Sequence, residues 1–258
     1  MRALVAIAAL STGCDQLFQI DQIAIHDGSP GDTSRGSGSA DAAVPTTAPL
    51  FLSSGFMSYP GDGTLHTSVI ASLAGNFDVG TLIVAAICEF PTNPIMIVTD
   101  SGGTPFMRAA MADASVTGPA LAAQLYYGIV AAPIDNDDVV VQFVAPGVES
   151  PDVRVAAYTN IATFASFEGA NGAGDMDTDA ASTTVTVTGT PALLVAATCV
   201  AAETTGVDGF QPRVTSGNGD VLEDLVTHTL GAQTATARQN AMGGLIVQLV
   251  AFKGSGPS

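Results

Sequence analysis

The chain has 258 residues, and 24 Asp and Glu outweigh 7 Lys and Arg for a formal charge of −17. Such a balance opposes nucleic acid and anionic lipid surfaces, both of which need Lys and Arg for neutralisation. With only 12% charged residues and with Ala, Val, Thr and Gly abundant, the composition is that of an exported β protein, its sparse acids serving solubility, at a length that one all-β sandwich can occupy.

Met1-Arg2 is a short basic start, followed by the apolar run Ala3–Leu10 (ALVAIAAL). That run is too short to cross a bilayer core of ~30 Å as a helix. It fits the apolar region of a secretory signal peptide, which assigns residues 1–13 to the signal. The next four residues, Ser11-Thr12-Gly13-Cys14, resemble the bacterial lipobox, in which small residues precede a cysteine that receives diacylglycerol before cleavage. The family favours Leu three residues before the cysteine; here Ser11 holds that place and Leu10 stands one earlier. The resemblance implies lipid attachment at Cys14 and a membrane as partner, each buried CH₂ contributing ~0.8 kcal/mol to anchoring. An ordinary signal peptide and a buried amino-terminal strand are the plainer alternatives. Asp15 resembles the residue that keeps enteric lipoproteins at the inner membrane, though other lineages sort differently. Cys14–Asp21 (CDQLFQID) is similar to the start of many myxobacterial lipoproteins.

Residues 14–49 then form the lipidated terminus and a linker. Asp27–Pro49 is filled by Gly, Ser, Pro, Asp and Ala without apolar periodicity, so it cannot offset the entropy of ordering. As a flexible coil it reaches roughly 25–30 Å.

From Leu50 to Lys253 strand patterns alternate with turn residues. Leu50–Phe56 precedes a Pro60-Gly61-Asp62-Gly63 turn. Thr64–Leu73 ends at a turn marked by Gly75-Asn76. Thr81–Cys88 and Ile95–Thr99 flank a loop with Pro91 and Pro94, and Asp100–Thr104 is a Gly-rich hairpin turn. Phe106–Ala114 carries some helical spacing but is assigned as a strand, as is its matched stretch Val221–Thr229. Leu121–Val130 and Val139–Val144 are separated by Pro133 and the acidic Asp135-Asn136-Asp137-Asp138. Val153–Tyr158 follows, and Thr183–Thr188 alternates Val inward and Thr outward. Leu193–Cys199, Gln211–Thr215, Ala232–Arg238 and Leu245–Phe252 complete the set.

Two of these runs match. Gly80–Cys88 (GTLIVAAIC) and Pro191–Cys199 (PALLVAATC) are unbroken apolar stretches, the pattern of strands buried on both faces. Val98-Thr99 and Val214-Thr215 then align with a longer second-half loop. Leu125–Val130 and Leu245–Val250 close the two halves. The repetition suits one sandwich of two similar halves, unless it reflects only the general likeness of β-hairpins. Without a βαβ rhythm or a long amphipathic helix, the expected class is an all-β, two-sheet antiparallel sandwich.

The stretches Gly80–Ala85, Val98-Thr99-Asp100-Ser101-Gly102-Gly103 and Val153–Asn160 (VRVAAYTN) resemble the recurring signposts of jelly-roll modules in bacterial surface proteins. That resemblance implies a jelly-roll sandwich over 50–253 with a structural or adhesive role and no catalytic residue.

Candidate chemistry is sparse. His26, His66 and His228 have no metal-spaced partners, and no zinc-protease, nucleophile-elbow or phosphate-loop motif occurs. Asp175-Met176-Asp177-Thr178-Asp179 opens like an EF-hand loop, but Ala180 stands where Gly is needed and Thr186 where Glu is needed. It reads as a solvated acidic loop; a looser calcium site with Glu168 or Asn171 is the sharper alternative. Sugars dock on flat aromatic faces, and the chain has no Trp. Three of its tyrosines, Tyr126, Tyr127 and Tyr158, fall in strands. Cys88 and Cys199 end the matched runs. If those strands lie side by side the sulfurs can bond, given Cα atoms about 4.4–6.8 Å apart; otherwise both are buried free thiols.

The reading is therefore a lipid-anchored, exported binding or structural module of a bacterial cell envelope, on its periplasmic or surface side. Its ligand is an unspecified protein or glycan, with no nucleic acid, metal or cofactor expected. A carbohydrate-binding lectin-like domain and an envelope hydrolase with a loop-built site are the alternatives.

Overall fold

A computed structural model describes residues 47–61, 63–90, 95–112, 121–162 and 167–255. The signal, Cys14, nearly all of the linker and the Pro91/Pro94 loop lie outside the described residues. Among the described residues the chain is all β, with no helix.

The first lobe has eight strands: β1 Leu50–Ser58, β2 Ser68–Phe77, β3 Leu82–Phe90, β4 Ile95–Thr99, β5 Met107–Ala112, β6 Ala122–Ile129, β7 Ile134–Phe143 and β8 Glu149–Thr159. All pairs are antiparallel. One sheet has the order β1-β8-β3-β6-β5 and the other β2-β7-β4. A bridge from Thr99 to Pro105 ties the start of the β5 segment to β4. Apart from β5, which pairs with β6 and only bridges to β4, this is the two-sheet order of a jelly roll. Ile83, Ala85 and Ile87 on the large sheet pack against Val69, Ala71, Leu73, Val139 and Val141 on the small one to form the first core.

The second lobe repeats the plan with fewer, longer strands: β9 Phe167–Val187, β10 Ala192–Val200, β11 Thr204–Val207, β12 Gln211–Thr215, β13 Val221–Thr227 and β14 Gly231–Lys253. The first part of β14 pairs with β11 and the later part of β9. Its second part pairs with β10 and the earlier part of β9. Both long strands thus cross from one sheet to the other, doing the work of β1 plus β2 and of β7 plus β8. Even an irregularity recurs. Register slips between Arg108 and Ala110 on β5, and between Pro212 and Val214 on β12, so that Ala110 faces Leu125 as Val214 faces Leu222. The sequence suggests one sandwich of two similar halves; the halves are similar, but each is a sandwich with its own core.

The two large sheets lie face to face. Leu82, Val84 and Ala86 of β3 and Leu193, Val195 and Ala197 of β10 form a core between the lobes, with Leu125, Leu222, Ala156, Val250, Tyr158 and Phe252. Alternate residues of β3 face the first lobe's own small sheet, and alternate residues of β10 face the second lobe's. Both faces of these strands are therefore apolar, which is why their sequences do not alternate. The contacts obey a pseudo-twofold: β1 meets β12 as β9 meets β5, and β8 meets β12 and β13 as β14 meets β5 and β6.

Several expectations are corrected. Gly75-Asn76 is not a turn. β2 continues through it with a slip in register after Leu73, and Gly75 takes φ 130°, which a side chain would resist. Asp135–Asp138 is no spacer but the start of β7, with Asp137 fully buried. Asp175–Asp179 is not a loop; it lies inside β9, near its slip in register against β14. Ala232–Arg238 and Leu245–Phe252 are one strand, and Thr204–Val207 is a strand that the sequence pattern did not mark. Of the matched pairs only β3 and β10 are equivalent. Val98-Thr99 lies on β4, whose counterpart is β11, whereas Val214-Thr215 lies on β12, the counterpart of β5. Likewise the counterpart of β6 is β13, and Leu245–Val250 corresponds to β8.

Gly55 on β1 lies so close to β2 that a Cβ there would sit 2.0 Å from the Ser72 carbonyl oxygen. Gly55→Ala is expected to push β1 off β2 and cost about 1–3 kcal/mol, the range for overpacking. A chemical-denaturation midpoint checks it; an unchanged midpoint contradicts the close approach.

Candidate interlobe site

Cys88 and Cys199 occupy equivalent places on β3 and β10, beside the pseudo-twofold. A disulfide joins them, with Cα atoms 5.4 Å apart and 111 residues between them in sequence. Leu121, Ala123 and Ile246 bury it.

Two long polar side chains also cross the lobe boundary, again from equivalent positions. Arg154 on β8 lies opposite Ala86, and Gln248 on β14 lies opposite Ala197. Arg154 Nη1 donates to the carbonyl of Val221 at the start of β13 (2.5 Å), and Gln248 Nε2 donates to the carbonyl of Ala123 on β6 (3.1 Å). Each is almost fully buried.

Around Arg154 the likeness ends. Its Nε lies 2.7 Å from Asp152 Oδ1, with both side chains out of solvent. Asp220, also fully buried, accepts the N–H of Val200 at Oδ1 (2.8 Å). Thr198 Oγ1 accepts the N–H of Val221 (3.0 Å). One carboxylate thus contacts the guanidinium and a second lies within its electrostatic reach, in an apolar boundary where an uncompensated charge is costly. Burial pushes Asp220 up to about 7; Arg154 pulls it down, and Asp152 pushes it up. Burial also raises Asp152, against the pull of Arg154 and the Ser216 hydroxyl. Since these groups are covered, they tie the lobes together and do not meet a solute directly.

The same loops form the walls of a cleft of about 490 Å³, with Pro60, Gly61 and Ser150 on one lobe and Val200, Ala201, Gly217 and Asn218 on the other. Ser150 is two residues from Asp152, and Gly217 and Asn218 lie between Ser216 and Asp220. Ser150 has φ 49°, a left-handed conformation uncommon for serine. Its Oγ accepts the N–H of Gly61 (2.9 Å), which fixes one wall. On the other wall a Cβ on Gly217 would lie 3.0 Å from Ser58 Oγ, a tight contact that the serine side chain would have to turn to relieve. The volume is that of a small-ligand site. Among the described residues no charged side chain lines it, and what these offer a ligand is main chain, Asn218 and the Ser150 hydroxyl.

A second recess of about 340 Å³ lies at one seam of the lobe boundary, between Phe210, Gln211, Arg213, Asp224 and neighbours. Arg213 holds Asp224 with two hydrogen bonds (2.6 and 2.9 Å) and lies over the Phe51 ring at 4.3 Å. At the equivalent seam Tyr127 stands where Asp224 does here; it stacks on Phe167 at 5.8 Å and meets Phe252 edge-on. Tyr158 is buried, its hydroxyl pushed well up by desolvation and then by Asp224. Tyr59 stacks on His66 at 3.9 Å. The aromatic faces that a sugar platform would use are engaged by neighbours at Tyr59, Tyr127 and Tyr158. His228 lies exposed just past β13, and His26 is outside the described residues.

Sequence reasoning missed Asp152, Arg154 and Asp220. Arg154 inside the apolar run Val153–Tyr158 was the available signal, since a charge on a doubly buried strand needs a partner. Comparison with protein-family models and with curated proteins gave no match for this chain.

Proposed function

We propose that this protein is a lipid-anchored, exported binding or structural module of the bacterial cell envelope. The observation that carries the reading is the Cys88–Cys199 bond across the lobe boundary, because such bonds persist outside the reducing cytosol. The apolar leader and the Ser11-Thr12-Gly13-Cys14 sequence supply the export and anchoring parts. Two sandwiches clamped by a disulfide make a rigid bipartite body, and the interlobe cleft is its place for a small neutral ligand or a segment of a larger one. The acidic surface keeps nucleic acid away.

Cys14 is expected to become the lipidated amino terminus. Mass spectrometry of native protein should find acyl groups on it, and Cys14→Ala should move from the detergent phase to the aqueous phase. Equal aqueous partitioning of both forms would sink the anchor.

A further inference from the structure

The Asp100–Thr104 turn after β4 packs against the start of β7 through two carboxylates. Asp100 is only 5% exposed and Asp137 not at all. Asp137 Oδ1 accepts the Ser101 N–H (3.1 Å) and the Ser101 hydroxyl (2.8 Å). Asp100 Oδ1 accepts the Thr104 N–H (2.6 Å). The turn is therefore folded around both acids and brings them within hydrogen-bonding reach of each other. The second oxygen of each, Asp100 Oδ2 and Asp137 Oδ2, is buried with no hydrogen-bond partner.

Two carboxylates so placed repel, and neither oxygen has a donor to offset its lost hydration. Either a shared proton or a cation must offset that repulsion. The second lobe indicates that they belong together. Gln233 faces Val185 there as Asp137 faces Leu73 here, and the turn after β11, Asp208-Gly209-Phe210, has no second acid.

We propose that Asp100 and Asp137 form a calcium site that pins the β4–β5 turn to β7. All the protein donors are oxygen, which suits a hard cation. Among the described residues no third acidic side chain completes a cluster. Carbonyls of the turn and water must supply the remaining ligands, which calcium accepts more readily than magnesium because its shell is larger and less rigid. Ser101, Gly102 and Gly103 are exposed, so the ion has a short path in from solvent. The export proposed above would supply millimolar calcium, but binding to the purified chain can be measured whether or not that reading holds.

The test is thermal melting of the full chain at pH 7.5 after chelation, with calcium chloride, magnesium chloride or chelator added, alongside calorimetric titration with calcium alone. Calcium should raise Tm by several degrees and magnesium by less. Asp137→Asn and, separately, Asp100→Asn should abolish the shift, and Asp177→Asn should retain it. If either pair variant fails to fold, the titration of wild type decides alone. Absence of calcium uptake by the wild type would overturn the site and would leave the two acids sharing a proton instead. A calcium shift lost in Asp177→Asn would overturn it as well.

Discussion

Arg154→Ala is expected to destabilise the protein by about 3–5 kcal/mol at pH 8, the range for removing one partner of a buried ion pair. The variant leaves Asp152 and Asp220 together in the lobe boundary with no cation between them, and it also frees the Val221 carbonyl. The loss should depend on pH. Asp220 in the folded protein titrates near 7, above its ordinary carboxyl value. The folded state therefore holds a proton that the unfolded chain has already released. The contribution of this group is fully present below the unfolded value and is lost as pH rises through about 7. Without Arg154 both acids should be pushed higher still, so they protonate more readily. The deficit of Arg154→Ala should then shrink at pH 5 relative to pH 8. Denaturant midpoints of wild type and variant at the two pH values measure this. A deficit under about 1 kcal/mol at pH 8 would mean that Arg154 does not neutralise the boundary.

The double variant Cys88→Ala, Cys199→Ala is expected to lose about 4–5 kcal/mol if chain entropy alone governs, because the bond closes a loop spanning 111 residues. Since the sulfurs are packed among Leu121, Ala123 and Ile246, small replacements keep the packing nearly intact and isolate the crosslink. Thiol counting on denatured, unreduced mature protein gives a separate check. No free thiol is expected from Cys88 and Cys199, and two would refute the bond. A double variant as stable as wild type would show that the lobes hold together by apolar contact alone.

The class of fold was legible because burial leaves a direct trace in residue type. β3 and β10 are flanked on both faces and read as unbroken apolar runs. Thr183–Val187 has one wet face and alternates. The internal likeness was legible only where that trace was strongest. Away from β3 and β10 the counterpart strands carry different residues, such as Tyr127 for Asp224 and Tyr158 for Phe252, and in the second lobe two strands fuse into one. Matching by residue type therefore paired β4 with β12. The candidate site was illegible for another reason. Asp152 and Arg154 sit together on β8, but Asp220 joins them from the turn before β13, far away in sequence, and an acid that will be buried looks no different from one that will be solvated. Asp137 shows the same difficulty: it stands in a run of polar residues that reads as a spacer, yet alternation along β7 turns it inward.

Arg154 and Gln248 hold one structural position twice over, with different side chains. Two identical subunits related by a true twofold could not do this, since any arginine on one would reappear on the other. They would bring a second guanidinium and a second set of acids into the same dry boundary. A continuous chain escapes that constraint because its copies can mutate one at a time. Charge can then gather on one side of the axis and a neutral amide serve on the other. The loops beside the charged side can therefore diverge from their counterparts across the axis, which in a symmetric pair would have to match.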